Sequence, residues 1–145
     1  MEFCSTTTAD LADVFRHLDQ RMADEYTTAG FNVRQIKDVF RDAARHGRSH
    51  TLLSARQKIA VVMWEETDGA IATSFAAKPA YFDRRHVLPS RRHIREIQRA
   101  NGNLPVHSYS YSTHPHVGRW FEALRFERYG IYEKATIYRL PPTSG

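Results

Sequence analysis

The sequence predicts a mixed α/β fold in which helices flank a mostly antiparallel sheet. Hydrophobic residues recur with helical spacing in the first 45 residues and again near the end of the chain. Between His50 and Ala77 the pattern changes to the short apolar runs that are typical of strands. The last segment combines one amphipathic helix with a strand pair. Together these observations predict the element order β-α-α-β-β-β-α-β-α-β-β.

The first 47 residues predict one strand and two helices. Residues 3–6 are compatible with a strand. The next segment is predicted as one continuous helix, whose apolar face is formed by Leu11, Val14, Phe15, Leu18 and Met22. Asn32 and Gln35 have the spacing of a capping box, which predicts that a second helix starts there and ends before Gly47.

The middle of the chain predicts three antiparallel strands. The apolar runs are Thr51–Leu53, Ile59–Trp64 and Ala70–Phe75. Short polar segments separate them, and Asp68-Gly69 is a favourable hairpin turn. A meander of consecutive strands is the simplest arrangement for such a pattern.

A third helix is predicted from Pro89-Ser90 to the Asn101-Gly102 stop signal. Its inward residues are predicted to be Ile94, Ile97 and Ala100. The following strand, residues 104–112, alternates between two kinds of side chain. One face carries His107, Tyr109 and Tyr111, and the other carries Ser108, Ser110 and Ser112.

The closing segment predicts a helix and a hairpin. Pro115 suits the first turn of a helix. The apolar residues of that helix, at positions i, i+3, i+4 and i+7, are Val117, Trp120, Phe121 and Leu124. A strand from Ala135 to Leu140 then ends at Pro141-Pro142. We therefore expect a single domain over residues 1–140 and a flexible tail over 141–145.

Length and composition place the chain among ordinary globular domains. It has 145 residues, of which 41% are hydrophobic and 26% are charged. No apolar run approaches the ~20 residues of a membrane span, and the first residues lack a secretory signal pattern. With one cysteine, Cys4, the chain has no internal disulfide. We expect a cytoplasmic location and, because no zinc-ligand spacing occurs, no metal.

The positive charge of the chain is concentrated in one segment. The net charge is +5, and residues 84–99 contain six arginines and one acid, Glu96, so this segment accounts for the whole excess. A polyanion, such as the phosphate tail of coenzyme A or a nucleic acid, is the partner that this charge favours. A solvated basic helix face is the alternative. Nucleic-acid binding has no named motif in its support.

The closing segment, His114-Pro115-His116-Val117-Gly118-Arg119-Trp120-Phe121 with Arg125-Phe126, resembles the end of the GNAT acyltransferase superfamily. The resemblance implies the GNAT fold, whose element order is the predicted one. It also places His114 where the family usually has Asn. Phe121 stands where the family has a Tyr that often protonates the departing thiolate, and Arg125 stands where it has Gly.

The resemblance implies that an acyl-CoA binds beside the fourth strand and the loop after it. It places the cofactor-binding residues at Ser74, Phe75, Ala76, Arg84, Arg85, Arg91 and Arg92. The family loop is rich in glycine, whose amides approach the pyrophosphate closely. No glycine lies between Gly69 and Gly102, so arginine side chains are the expected replacement.

For acyl transfer to an amine, the resemblance requires a base for the amine and an acid for the thiolate. The candidates for these catalytic roles are Tyr109, Tyr111, His107 and His114. Because Phe121 has no hydroxyl group and the loop has no glycine, both the catalytic site and the pyrophosphate site are expected to be degenerate. Acetyl-CoA is the expected cofactor, and loss of its binding is the alternative.

A narrower resemblance links residues 70–140 to the GNAT-like proteins of tailed bacteriophages, including those of the internal-virion assembly type. It rests on Tyr81-Phe82-Asp83, the basic helix after Ser90, and the strand through Tyr109. It leaves three functions open. They are an acetyl-CoA-dependent N-acetyltransferase acting on an amine, a non-catalytic virion or morphogenesis protein that binds other phage proteins, and arginine-driven binding of nucleic acid. The protein would then lie in the host cytoplasm or in the virion.

Overall fold

A sheet of seven strands organises the part of the chain that the computed structural model describes, residues 1–144. The strands are β1 (Glu2–Ser5), β2 (Ser49–Ser54), β3 (Gln57–Thr67), β4 (Ala70–Ala77), β5 (Val106–Ser110), β6 (Glu127–Tyr132) and β7 (Ala135–Leu140). The α-helices are α1 (Thr8–Arg16), α2 (Gln20–Thr28), α3 (Val33–Arg45), α4 (Val87–Ala100) and α5 (Pro115–Ala123). Two short 3-10 turns, Pro79–Phe82 and Arg84–His86, lie between β4 and α4.

The strand order across the sheet is β1-β2-β3-β4-β5-β7-β6. The pairs β1/β2, β2/β3, β5/β7 and β6/β7 are antiparallel, and the pair β4/β5 is parallel. Helix α4 lies in the connection between these parallel strands, as a parallel pair requires. The predicted mixed and mostly antiparallel sheet flanked by helices is therefore confirmed.

The contacts of the chain define two compact units, each of which contains part of strand β4. The first unit comprises Met1–Trp64 and Ser74–Asp83. The second comprises Glu65–Thr73 and the described residues from Arg84 onward. The longest helix, α4, has 14 residues. None of the helices within residues 1–144 has the length and apolar character needed to cross a bilayer.

The core of the first unit lies beneath the apolar faces of α1 and α3. Its central residues are Leu11, Val14, Phe15, Phe40, Val61 and Ala76. The rings of Phe15 and Phe40 meet edge to face with centroids 5.5 Å apart. The helical spacing of Leu11, Val14 and Phe15 therefore reflects burial, as the sequence predicts.

The first helical segment consists of two helices, so the prediction of one continuous helix is wrong. Helix α1 ends at Arg16 and α2 begins at Gln20. The buried residue Asp19 causes the break. Its carboxylate accepts a hydrogen bond from the backbone amide of Arg21 at 2.9 Å, and its own amide donates to the carbonyl of Ala77 at 2.8 Å. An amide bonded outside the helix cannot continue the helical ladder, so α2 starts anew with Asp19 as its N-cap.

Helix α3 begins at the predicted capping box. The side chain of Asn32 accepts a hydrogen bond from the Gln35 amide at 2.8 Å, and the Gln35 side chain accepts one from the Asn32 amide at 2.9 Å. These reciprocal bonds satisfy two amides that a helix start otherwise leaves unpaired. The predicted start of this helix is confirmed.

Two tight turns connect the strands of the predicted meander. Ala55 and Arg56, between β2 and β3, have φ values of 50° and 66°. Asp68 and Gly69, between β3 and β4, have φ values of 46° and 76°. Two successive residues with positive φ are the pattern of a type I′ turn, whose twist matches that of the flanking strands.

Helix α4 begins at Val87, two residues before the predicted start at Pro89. Ile94 and Ile97 are buried as predicted, but Ala100 is exposed, contrary to the prediction. The buried residue near this end of the helix is Gln98 instead. Its amide nitrogen donates to the Leu104 and Pro141 carbonyls at 2.9 and 3.1 Å. These bonds turn the 98 position inward and leave the last residue of the helix in solvent.

Strand β5 directs its serines to the interior and its aromatic residues toward solvent. Ser108 and Ser110 are 2% and 3% exposed, whereas Tyr109 is 44% exposed. The strand covers residues 106–110 and is therefore shorter than the predicted 104–112. The alternation seen in the sequence thus distinguishes an inner hydroxyl face from an outer aromatic face.

The closing helix is capped by His114 and buries Trp120, Phe121 and Leu124. Two residues of the segment predicted to be a flexible tail make hydrogen bonds. The Pro141 carbonyl accepts one from Arg95 at 2.8 Å, and the Thr143 amide donates to the side chain of Asn103 at 2.9 Å.

Candidate functional site

The parallel pairing of β4 and β5 lies in the second unit and positions His107. The paired residues are Ile71 to Thr73 on β4 and Val106 to Ser108 on β5. The Thr73 hydroxyl donates to the carbonyl of His107 at 3.3 Å, and the Ser108 hydroxyl lies 3.4 Å from the Thr73 carbonyl. These side-chain bonds add to the backbone ladder and fix the strand that carries the predicted catalytic residues.

His107 lies in a half-buried aromatic setting beside a cation. Its ring centroid is 5.5 Å from that of Tyr129, and the guanidinium of Arg139 lies 5.0 Å from the same Tyr129 ring. Arg139 is also the β7 residue paired with His107. Burial, and then the positive charge of Arg139, lowers the pKa of His107 below its ordinary value of 6.5. The imidazole is therefore neutral at pH 7 and able to accept a proton.

The other three predicted catalytic residues differ in their position and in how exposed they are. Tyr109 lies on the outer face of β5 with His107, and Tyr111 is half-buried just after the strand. His114 is exposed and caps helix α5. Its Nδ1 atom accepts a hydrogen bond from the His116 amide at 3.3 Å. This bond places the proton of neutral His114 on Nε2, so the free nitrogen is a donor rather than a base.

Phe121 is packed against a tyrosine that the sequence did not single out. The Phe121 and Tyr138 rings stack with centroids 4.3 Å apart and planes 11° from parallel. A Cβ atom added at Gly118 would lie 3.3 Å from the Tyr138 hydroxyl, so this hydroxyl lies against the first half of α5. Phe121 has no hydroxyl group, but the stack holds the Tyr138 hydroxyl beside the same helix.

The predicted cofactor-binding residues of β4 belong to the first unit. Ser74 is exposed, Phe75 is half-buried and Ala76 is fully buried. The carbonyl of Phe75 accepts a hydrogen bond of 3.0 Å from the hydroxyl of Tyr26. Burial raises the pKa of that phenol, which stays protonated. Tyr26 is thus a strand-positioning residue that sequence reasoning missed, because the contact joins residues 49 positions apart.

Arg84 and Arg85 form the 3-10 turn immediately before α4, and both are exposed. The helix has His86 as its N-cap, with no side-chain hydrogen bond to the first amides. The 3-10 turn runs directly into the helix, and Pro89, the third residue of the helix, has no amide hydrogen. The two exposed guanidinium groups are chemically suited to phosphate, although the family glycines are missing.

Arg91 and Arg92, predicted with Arg84 and Arg85, line a different feature. It is a groove of about 530 Å³ on the second unit. The residues that line this arginine groove are Arg91, Arg92, Arg95, Arg99, Leu124, Arg125 and Thr143. Arg95 and Arg99 belong to the basic segment that the sequence reveals. Arg125 and Thr143 were not predicted, since only the folded chain brings the end of α5 and residue 143 to α4.

The fold with this arrangement of β4, α4 and β5 is that of the GNAT N-acetyltransferases. The solved structures that resemble the chain match it over nearly its whole length, and identities of 11–14% establish the fold alone. No protein-family model matches the sequence, and no curated protein matches it by sequence.

Three of these structures illustrate the likeness. AAC(6')-Ib in complex with ribostamycin and coenzyme A has a TM-score of 0.72 and 13% identity, with 97% of this chain and 92% of that chain covered. The PaiA N-acetyltransferase from Thermoplasma acidophilum, in complex with coenzyme A, has a TM-score of 0.67 and 11% identity, with 98% of each chain covered. The ribosomal-protein-S18-alanine N-acetyltransferase from Escherichia coli has a TM-score of 0.66 and 14% identity, with 99% and 95% covered.

Proposed function

We propose that the protein is an acyl-CoA-dependent N-acyltransferase whose phosphate-binding and thiolate-protonating groups depart from those usual in its fold. The observation that carries this proposal is the match along the whole chain to N-acetyltransferases solved with coenzyme A. Acetyl-CoA and an amine are the proposed substrates. The acyl thioester would supply an activated carbonyl, and the protein residues would provide binding, orientation and proton transfer.

The proposed phosphate-binding residues are Arg84 and Arg85. A guanidinium binds phosphate through two parallel hydrogen bonds, which replaces the close amide contacts that glycines allow. Ser74, Phe75 and Ala76 are proposed to bind the rest of the cofactor through the backbone of β4. The exposure of both arginine side chains supports this assignment.

His107 is the proposed general base. An amine attacks a thioester only after it loses a proton, and a neutral imidazole is the acceptor suited to pH 7. The lowered pKa of His107 supports this role. Tyr109, on the same face of β5, is proposed to orient the amine, and Tyr111 and His114 are proposed as donors at the end of the strand.

Tyr138 is the proposed proton donor for the departing thiolate. Its phenol is stacked on Phe121, the residue at which the family resemblance implies a tyrosine. Replacing Tyr138 by Phe should keep the stack and lower kcat more than it raises KM. An unchanged kcat would remove Tyr138 from the mechanism and leave solvent as the donor.

Isothermal titration with acetyl-CoA tests the proposal directly. The protein should bind saturably, and R84A/R85A should weaken binding at least tenfold. R34A/R45A, which removes two exposed arginines from α3, is the matched control and should bind as the unaltered protein does. If the unaltered protein shows no saturable binding, the acyltransferase proposal fails.

A non-catalytic scaffold is the second candidate, and Phe121 is the observation that favours it. This residue is 3% exposed and has no hydroxyl group to protonate a thiolate. Under this proposal the protein assembles with other phage virion or morphogenesis proteins. Release of free coenzyme A from acetyl-CoA with a panel of amines would contradict the scaffold. Co-purification with phage particles, without such release, would support it.

A further inference from the structure

We propose that the arginine groove binds the phosphate backbone of a single-stranded nucleic acid without reading its sequence. The groove lies entirely in the second unit, on the outer face of α4 and beside the end of α5. The proposal does not depend on acyl transfer, because Arg84 and Arg85 are not among the residues that line the groove.

Most of the positive charge in the groove is uncompensated. Arg99 pairs with Glu96 at 2.6 Å. Within residues 1–144, the other four groove arginines form no ion pair with a carboxylate. A cluster of like charges destabilises a fold unless a ligand neutralises it. Binding of an anion would therefore relieve the repulsion among the groove arginines.

Two of these arginines are held in place by neutral backbone groups. The Nε atom of Arg91 donates to the Ala123 carbonyl at 2.6 Å, and Nη1 of Arg95 donates to the Pro141 carbonyl at 2.8 Å. Such bonds orient the guanidinium groups but leave their charge available. Less side-chain freedom is then lost when a ligand binds, which is the advantage of a preorganised site.

The regular repeat of charge along a nucleic acid favours it over an acidic peptide. Arg91 and Arg99 are eight residues apart on α4, which is about 12 Å along the helix axis. A single strand carries one phosphate on every nucleotide whatever its sequence, so every register of the strand along this length presents phosphates to the arginines. A peptide carries a carboxylate only where its sequence places Asp or Glu, so it matches the groove only with a particular sequence.

The chemistry of the groove predicts binding without sequence preference. Its arginines match phosphate oxygens bidentately. The remaining lining residues are Leu124 and Thr143, so the groove lacks an amide or carboxylate side chain that would read a base edge. The affinity should therefore depend on salt and on strand length rather than on base composition.

Replacing Arg125 by Gly removes one groove charge without straining the backbone. The φ of Arg125 is +71°, a left-handed conformation that glycine adopts more readily than arginine. The variant R92Q/R99Q/R125G removes three of the five charges and spares Arg91 and Arg95, whose hydrogen bonds hold the fold. R16Q/R34Q/R45Q, which alters exposed arginines of α1 and α3, is the matched control for net charge.

Fluorescence anisotropy with a labelled 20-nucleotide oligothymidylate tests the proposal. The unaltered protein should bind with an affinity that falls as salt increases. At about 0.1 M salt the groove variant should bind about 100-fold more weakly, and its log–log salt slope should be about 2 units shallower, because single strands contribute about 0.7 per phosphate contact. The control variant should stay within twofold, and neither variant should have a lower urea midpoint than the parent.

Three results would overturn the proposal. Equal losses in the groove and control variants would show that net charge alone binds the strand. Tighter binding of a polyglutamate of equal charge would identify an acidic protein as the ligand. Displacement of the oligonucleotide by stoichiometric acetyl-CoA, abolished by R92Q/R99Q/R125G, would make the groove part of the acyl-CoA site. Loss of acetyl-CoA binding in R84A/R85A would leave the groove proposal untouched.

Discussion

Phe121 and Tyr138 form a nearly parallel ring stack, with centroids 4.3 Å apart and planes inclined by 11°. The stack joins the closing helix α5 to strand β7 within the second unit. Phe121 also meets Phe126 edge to face at 5.4 Å. Position 121 is therefore occupied by a packing residue, whichever function the protein performs.

The stack predicts a measurable coupling between the two residues. Phe121→Ala should lower the free energy of unfolding by about 3–5 kcal/mol, because it leaves a cavity among buried aromatic rings. A double-mutant cycle of Phe121→Leu and Tyr138→Leu should give a coupling energy of about 0.5–1.5 kcal/mol. Urea unfolding measures both quantities. Strictly additive effects would contradict a direct interaction between the rings.

Asp10 should make the first unit sensitive to acid. Its carboxylate accepts hydrogen bonds from the Thr7 amide and the Thr51 hydroxyl, each at 2.9 Å, and lies 2.8 Å from the Lys58 ammonium. Burial alone would raise the pKa of Asp10, but the bond from Lys58 and those from Thr7 and Thr51 outweigh burial and hold it below 3.8. The resulting stability is present above pH 3.8 and is lost as the pH falls through the lower value of the folded state.

Asp10→Asn tests this dependence. At pH 7 it should cost about 1.5–3 kcal/mol of unfolding free energy, since it removes a charged hydrogen-bond acceptor from a buried site. The variant should also lose less stability than the parent between pH 5 and pH 2. Glu66→Gln, at an exposed position near a turn, is the control and should change the free energy of unfolding at pH 7 by less than about 0.5 kcal/mol. Parallel pH curves for parent and D10N would refute the role given to Asp10.

Arg139 should control the protonation of His107. Burial and the Arg139 charge hold the pKa of His107 below 6.5 in the folded state, so the unfolded chain binds more protons between that value and 6.5. Stability should therefore fall as the pH drops below 6.5. Arg139→Met should raise the His107 pKa toward 6.5 and reduce this loss. NMR titration of the imidazole measures the shift, and an unchanged pKa in R139M would leave burial as the sole cause.

The hydrogen bonds of the Gln98 side chain should stabilise the packing of residue 141 against helix α4. Gln98 is fully buried and connects Arg95, Leu104 and Pro141 through hydrogen bonds of 2.6, 2.9 and 3.1 Å. Gln98→Leu should cost about 1–3 kcal/mol, because the Leu104 carbonyl loses its side-chain donor and the Arg95 guanidinium loses an acceptor. Gln57→Leu, at an exposed position on β3, is the comparison variant, and equal effects of both changes would remove the special role of Gln98.

Periodicity predicts most of the fold because burial imposes the period. Leu11, Val14 and Phe15 lie in the core, and the alternation along β5 separates buried Ser108 from exposed Tyr109. Hydrogen bonds between residues close in sequence can also be predicted, as the capping box of Asn32 and Gln35 shows. These features depend on residues that are close in sequence, so they can be predicted from short segments of the chain.

Contacts between distant residues explain what the sequence did not predict. The break before α2 depends on a bond from Asp19 to Ala77, and the inward turn at Gln98 depends on Pro141. The arginine groove was foreseen only as a basic segment, because Arg125 joins it through packing of α5 against α4. The sequence shows which charges are in excess, whereas the fold determines which of them lie together.

The turn between β2 and β3 restricts the evolution of two positions. Ala55 and Arg56 both have positive φ, a region that β-branched residues tolerate poorly. Among natural variants of this protein, Asn, Asp and Gly should therefore accumulate at these positions, while Val, Ile and Thr are eliminated by selection. Replacing the pair by Asn-Gly offers a route to a more robust protein that leaves every proposed site residue unchanged.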